Sequence, residues 1–411
     1  MTKPKLDLIL NGAGEIITCV PELNNSIGRQ RGMAVAIVGE TIAAIAPRLE
    51  LDSIWDTTTA LEVDLQGKII APGFVDCHTH LVFGGTRAQE YAARMTRTAQ
   101  EAAALGIPSG IQATVNMTQA SSPEELTERA SQTLNRMFRY GTTTVESKSG
   151  YGLNAEKEIE LLQVNHNLQK IQPIDLVSTF LGAHDFPVDI PRPGYLDMLI
   201  NEMIPHIAKH NLARFCDVYC DEGYYSDKES RLILETGLRF GLLPKIHVDA
   251  YANIGGSVLA ADLKATSADH LNYTTRSEMA LLAKTGVIGV VMPGLDFAVQ
   301  HPRPFNARLM IAEGLTLALA TDFCPGCWME SMQMVMQLAC RLYQFSPEEA
   351  MYAATMGAAK AVGLETDRGS LEPGKLADIQ VWELPTFEDL IYRIGNNAVS
   401  MVIKRGQIHH F

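Results

Sequence analysis

Eight short apolar runs, separated by amphipathic stretches, pace the middle of this chain and narrow its fold more than any other feature. They are IIAPGFVDCH (69–78), TTTVESK (142–148), DLVSTFLGAH (175–184), RFCDVYCDE (214–222), LLPKIHVDA (242–250), ATSADHL (265–271), GVIGVVMPG (286–294) and LTLALATD (315–322). Runs of this length and apolar content suit strands buried on both faces. Between them lie stretches such as SPEELTERASQTLNRMFRYG, NAEKEIELLQVNHNLQKI and DKESRLILETGLRFG, with apolar residues at helical spacing. The first opens on Ser122, Pro123 and Glu125 and closes on Gly141, a helix start and stop. Strand–helix alternation predicts a parallel sheet, and eight units from about 70 to 365 predict an α/β fold, the (β/α)8 TIM barrel.

The two ends of the chain read differently. DLILNGAGEIITCV, MAVAIVGETIAAIAP and ALEVDLQGKIIAPG near the start, and ADIQVWEL and VSMVIKRGQIHHF near the end, are short strands broken by Gly, Asn and Pro. They predict a small β-sandwich domain of residues 1–70 plus 368–411, with the barrel spanning 71–367.

In a barrel the active site gathers at the C-terminal ends of the strands. The polar residues ending these runs are His78 and His80, Lys148, His184, Asp221 and Glu222, His247, His270 and Asp322. Five of the 11 histidines are thus expected at one rim. Side chains two apart on a strand share a face, so His78 and His80 can chelate one cation. Imidazole suits zinc, iron or nickel, and His247 and Asp322 can complete the set. A cation there would bring the pKa of its water to near 7, and a neighbouring carboxylate can carry the proton to a leaving nitrogen. Each residue also has a plainer reading: an incidental His-x-His, a packed or capping His184, a carbonyl-bonded His270, an N-cap at Asp322. Those readings would all have to hold by accident at one barrel rim.

Composition excludes other classes. Net charge is −13, which repels phosphate backbones, so no nucleic-acid partner is expected. No run of 18 apolar residues exists, so no membrane partner is expected, and the N-terminus carries no signal-peptide core. Seven scattered cysteines do not make a disulfide framework and suit a reducing cytoplasm.

With "APGFVD" before His78-Thr-His80, with His247, His270 and "ATD" ending in Asp322, and with "GSLEPGKLADIQVW" near the C-terminus, the chain resembles the amidohydrolase superfamily over nearly its whole length. "HTHLVFGGTRAQEY", "VESKSGYGL", "FLGAH" and "SADHL" resemble the imidazolonepropionase family within it. That resemblance implies a hydrolase opening a cyclic amide, 4-imidazolone-5-propanoate to N-formimidoyl-L-glutamate. It implies one divalent metal ion per chain, zinc or iron, held by His78, His80, His247 and Asp322. Asp322, His270 and His184 are then catalytic: the aspartate moves the proton and the histidines stabilise the oxyanion. Arg87, Tyr151 and His184 contact a small-molecule substrate, and a homodimer is implied. A salt bridge to Glu90 is the structural alternative for Arg87.

The chain also departs from the family. The family's His-Ala-Asp-Glu/Gln is His247-Val-Asp-Ala250 here, its Asn-Pro-Gly-Ser/Thr is Cys324-Pro-Gly-Cys327, and its GGGI is PSGI (108–111). Lost polar contacts change specificity, which keeps a second substrate class in view: another small five-membered lactam or cyclic amidine, opened or deaminated. Cys324-x-x-Cys327 has the spacing of a redox pair or half a zinc site. With no thioredoxin-like unit or second ligand pair, Cys324, Gly326 and Cys327 are expected to line the pocket. Lys148 ends the second run, away from the fourth, where superfamily lysines bridge two metals. It is expected to be unmodified and paired with a carboxylate.

Overall fold

The computed structural model describes residues 3–20 and 27–411. Its centre is a sheet of eight parallel strands: β1 (Phe74–Asp76), β2 (Thr142–Lys148), β3 (Asp175–Ala183), β4 (Phe215–Cys220), β5 (Leu243–Val248), β6 (Ser267–His270), β7 (Ile288–Val291) and β8 (Leu317–Leu319). They pair in chain order. The seam between β1 and β8 closes just beyond the strands, where Thr79 bridges Phe323. There the Asp322 N–H donates to the His78 carbonyl at 3.1 Å, and the His80 N–H to the Phe323 carbonyl at 2.8 Å. The sheet is a closed (β/α)8 barrel, and every one of the eight apolar runs supplies a strand.

The helix Pro123–Arg139 begins as its sequence requires. The Ser122 side chain accepts from the Glu125 N–H and the Glu125 carboxylate accepts from the Ser122 N–H. Leu126, Ala130, Leu134 and Met137, three and four apart, bury one face. Gly141 follows at φ +91°. A Cβ there would lie 2.2 Å from Gln380 Oε1, so this residue ends the helix and lets the terminal sheet come close.

Both chain ends contribute to that second layer. A four-stranded sheet (Thr41–Ala46, Ala34–Val38, Leu8–Asn11, Leu61–Asp64) faces a six-stranded one (Gln407–His410, Val399–Lys404, Ile379–Trp382, Ile69–Pro72, Glu15–Ile17, Arg29–Gln30). Leu8, Leu10, Val35 and Ile37 from the first pack with Ile16, Ile70, Ile379, Val381 and Ile403 from the second, making a sandwich core. The first apolar run is not one strand. Ile69–Pro72 pairs with Ile379–Trp382 in the sandwich, and only Phe74–Asp76 enters the barrel. The break is Gly73, where a Cβ would meet the Thr143 side chain at 2.3 Å. That strand therefore crosses position 70/71, where the sandwich was expected to end. Among the described residues no helix is long and apolar enough to cross a membrane.

Candidate active site

The barrel seam delivers the first candidate ligands. His78 and His80 leave the end of β1, and Asp322 lies opposite them past β8, its carboxylate Oδ1 3.7 Å from His78 Nε2 and 3.6 Å from His80 Nε2. His247 comes from β5, its ring centroid 4.6 Å from that of His78. His270 ends β6, 5.1 Å from His247 and 5.5 Å from His78 by the same measure. His78, His80 and Asp322 offer ligand atoms within 4.8 Å of one another, and so do His78, His247 and His270.

The donor set fits a divalent cation. His78 Nε2, His247 Nε2 and Asp322 Oδ1 are buried with no hydrogen-bond partner among the described residues. Leaving such an atom unpaired costs about 1–3 kcal/mol, and coordination to a cation would satisfy each of them. Burial, aided by Lys148 and neighbouring imidazoles, holds His78, His80 and His247 well below the ordinary histidine range. They are neutral, the form that ligates. Burial lifts Asp322 to about 7; a bound cation favours its ionised form.

Carboxylates below the rim hold the imidazoles. Asp269 Oδ2 accepts from His78 Nδ1 at 2.6 Å and Asp217 Oδ1 from His247 Nδ1 at 3.1 Å. An imidazole that donates Nδ1–H leaves its Nε2 lone pair free. Lys148 is paired as expected, with Glu146 and Asp217, both at 2.8 Å.

Above the rim lies a cavity of about 500 Å³, lined by His80, Arg87, Tyr151, His184, His247, His270, Asp322, Cys324 and Gly326. Arg87 makes the salt bridge to Glu90 that is its structural alternative, and it also lines the cavity. Its Nε and Nη2 donate to Glu90 at 2.6 and 2.9 Å, and the group still faces the cavity. Tyr151 is buried against His80 and His184. His184 Nδ1 lies 3.3 Å from the Gly150 carbonyl, and burial pushes its pKa down to about 4. A neutral ring donating from Nδ1 presents Nε2 as an acceptor. Burial likewise takes His270 to about 4.

Cys327 is placed differently from expectation: it is not among the residues lining this cavity. Cys324 and Cys327 close a two-residue turn with reciprocal backbone hydrogen bonds of 3.0 Å. The chain doubles back there, and the Cys327 thiol lies against the Thr321 carbonyl at 3.7 Å. Burial drives both thiols up, so neither is a thiolate. Ala250 does line the cavity.

Other lining residues escaped the sequence reading: Arg94, Tyr219, Tyr224, Tyr251 and Asn272. Tyr219 sits two residues before Asp221 on β4, so the period of two could have found it. Glu158 carries no such signal. It lies in the first turn of the helix Ala155–Ile171, amid charged neighbours that look solvated. Its fully buried carboxylate accepts from the N–H groups of Gly150, Gly152 and Leu153 at 2.9, 2.7 and 3.0 Å, and so holds the loop bearing Tyr151.

Comparison with known proteins gives the family and the fold. The amidohydrolase family model matches residues 247–409. An imidazolonepropionase of Symbiobacterium thermophilum is 40% identical over 98% of this chain and 97% of its own. One of Alkaliphilus metalliredigens is 39% identical over 91% and 89%. Among solved structures, a zinc-bound adenosine deaminase from Xanthomonas campestris superposes with a TM-score of 0.75 at 18% identity, over 99% of this chain and 93% of that one.

Proposed function

The chain belongs to the imidazolonepropionase family of amidohydrolases, and from that premise we propose how its own residues divide the work. The protein is a hydrolase of a cyclic amide C–N bond, opening 4-imidazolone-5-propanoate to N-formimidoyl-L-glutamate. The observation that supports the site assignment is that His78 Nε2, His247 Nε2 and Asp322 Oδ1 are buried without partners, with His78 common to the close groups His78–His80–Asp322 and His78–His247–His270.

His78, His80, His247 and Asp322 would hold a divalent cation, zinc or iron, which when bound would supply a water of lowered pKa and Lewis acidity toward the ring carbonyl. Asp322 accepts the attacking water's proton on its carboxylate and returns it to the ring nitrogen as the C–N bond breaks. His270, neutral, donates its N–H to the carbonyl oxygen as negative charge gathers there. His184 has the opposite polarity to the oxyanion role expected of it: with Nδ1–H on Gly150, its Nε2 accepts from a ring N–H. Arg87 keeps Nη1 for the substrate, since Nε and Nη2 serve Glu90. The Tyr151 hydroxyl, Cys324 and Gly326 shape the wall around it. A cytoplasmic location and a homodimer complete the reading; light scattering tests the latter.

The experiment is loss of imidazolone ultraviolet absorbance when metal-analysed protein meets 4-imidazolone-5-propanoate. Turnover, with about one zinc or iron per chain, supports the reading. One observation favours a second: Ala250 and Cys324 line the cavity where the family carries hydrogen-bonding side chains. Metal without turnover would favour a different five-membered lactam or cyclic amidine, and a panel of these comes next.

A further inference from the structure

The cavity is short of hydrogen-bond donors on one wall and carries surplus positive charge on another. Ala250 and Cys324 line the first, and Cys327 lies outside it. The second is built by the short helix Ala88–Arg94, with Arg87 just before it and Arg94 at its end. Those two arginines are two helical turns apart and share a face, with Glu90 between them. Glu90 Oε1 accepts from Arg87 Nη2 at 2.9 Å and stands 3.5 Å from Arg94 Nη1, while Oε2 accepts from Arg87 Nε at 2.6 Å. Two guanidiniums therefore flank one carboxylate oxygen. Among the described residues, Glu90 is the one carboxylate within ion-pair distance of either. The trio carries one positive charge more than it balances. Two other carboxylates line the cavity, and neither supplies the missing partner. Asp322 is aimed at the cation site. Both Asp296 oxygens are occupied, by Asn272 Nδ2 at 3.1 and 3.0 Å and by the Tyr343 hydroxyl at 2.8 Å. Depth orders the trio: the Glu90 side chain is 7% exposed, Arg87 14% and Arg94 47%. A Cβ on Gly326 would lie 3.8 Å from Arg87 Nη1, so that nitrogen faces the turn beyond Asp322, and Arg94 stands nearer the mouth.

We propose that Arg94 is a specificity-determining residue: together with Arg87 it receives a carboxylate carried on a short arm of the ring, so the site selects monoanionic five-membered cyclic amides over neutral ones. This rests on the reading of the cavity as the site of cyclic-amide opening. A substrate carboxylate between the guanidiniums completes an alternating set of two cations and two anions and relieves the repulsion between two arginines that share one glutamate. A neutral lactam or amidine leaves those donors unpaired, and a site built for a charged group discriminates against its absence. The arm then points from the barrel floor toward the mouth, away from the wall where Ala250 and Cys324 offer it little. The plainer role for Arg94 is a surface ion pair with Glu90, which is worth little and is indifferent to ligand charge.

The two roles separate by experiment. Full-length metal-loaded wild type, Arg94→Gln and Arg94→Lys are assayed with 4-imidazolone-5-propanoate and with its uncharged propanamide. Calorimetry follows binding of the unreactive pair imidazole-4-propanoate and imidazole-4-propanamide. The expected result is a carboxylate-over-amide preference in kcat/KM that falls about tenfold or more in Arg94→Gln, through KM rather than kcat, and recovers in part in Arg94→Lys. Dissociation constants of the unreactive pair should follow the same ratio. Added salt should weaken carboxylate binding more steeply in wild type than in Arg94→Gln, because Arg94 stands at a wet mouth. An unchanged preference in Arg94→Gln overturns the proposal. So does an equal loss for carboxylate and amide, which makes Arg94 a support for Glu90 alone. A wild type that turns over neither compound, yet prefers imidazole-4-propanoate by an Arg94-dependent margin, overturns the assigned substrate and upholds the anion-reading role. A wild type that binds both unreactive compounds equally, or neither, overturns that role.

Discussion

Asp322 holds a backbone conformation that aspartate seldom adopts, φ +46°, and it is not alone. Asp249, His270 and Leu271 also sit at positive φ, at +53°, +85° and +64°. Each such residue costs about 1–3 kcal/mol and persists only where the surroundings fix it. All four lie at or just past the C-terminal ends of barrel strands, where a turned backbone aims a side chain that a straight strand would misdirect. Asp322→Asn tests the aspartate cleanly, because asparagine tolerates the left-handed region and keeps an oxygen ligand. Turnover should fall by about 10²- to 10⁴-fold with the metal content unchanged, read by steady-state assay and elemental analysis. Equal activity would remove Asp322 from proton transfer. Gly150 is the counterpart where no side chain fits. It stands at φ +113°, and a Cβ would lie 2.8 Å from the Leu181 carbonyl and 2.9 Å from His184 Cβ. Gly150→Ala should lower the melting temperature by the equivalent of about 1–3 kcal/mol and displace His184. A variant with native stability and KM would refute this.

The SGYG segment shows how one element borrows its shape from another. It leaves β2 with no regular structure of its own, and the carboxylate of Glu158, one helix turn onward, satisfies two of its N–H groups and that of Leu153 just after it. Hydrogen bonds to a charged acceptor are worth roughly 1.5–3 kcal/mol each. Glu158→Gln keeps the volume but has one carbonyl for three donors, so the loop carrying Tyr151 should loosen. KM should rise about tenfold or more while kcat changes less, since the proposed ligands stand elsewhere. A fall in kcat alone would count against a positioning role. The same element shows what sequence can and cannot reveal. The barrel strands were legible because apolar runs and helical spacing are local patterns. His78, His80, His247, His270 and Asp322 were legible because they stand at the ends of those runs. Asp217 and Asp269 were not singled out, because each sits within a run and acquires meaning only when β4, β5, β6 and β1 curl into one barrel. Glu158 looked like one more charge in a solvated turn. Cys327 was misplaced because a two-residue turn reverses the chain between Cys324 and itself.

Barrel and sandwich are joined by charge as well as by packing. Asp175 at the start of β3 meets Arg368 at 2.7 Å, Lys404 at 2.9 Å and Arg405 at 3.0 Å, all from the returning C-terminal segment. Burial tends to raise the Asp175 pKa, but Lys404 and Arg368 outweigh it and hold it below the usual carboxylate range. A depressed carboxylate stabilises the fold above its ordinary pKa, and that stability is lost as pH falls through the folded value. Asp175→Asn should cost about 3–5 kcal/mol at pH 7, with the gap to wild type closing below about pH 4 in thermal melts. A gap independent of pH would place the effect in packing instead. The barrel seam carries a further consequence, for the order of events in folding. His78 follows the first strand and Asp322 the last, and their backbones bond across the closing edge. A ligand set split between those strands does not exist until the longest loop of the barrel has closed, the contact with the highest entropic cost. On the proposed ligand set, metal capture would therefore be a late event, a clasp fastened after the ring is complete, and a chain still lacking its eighth strand would lack the Asp322 ligand.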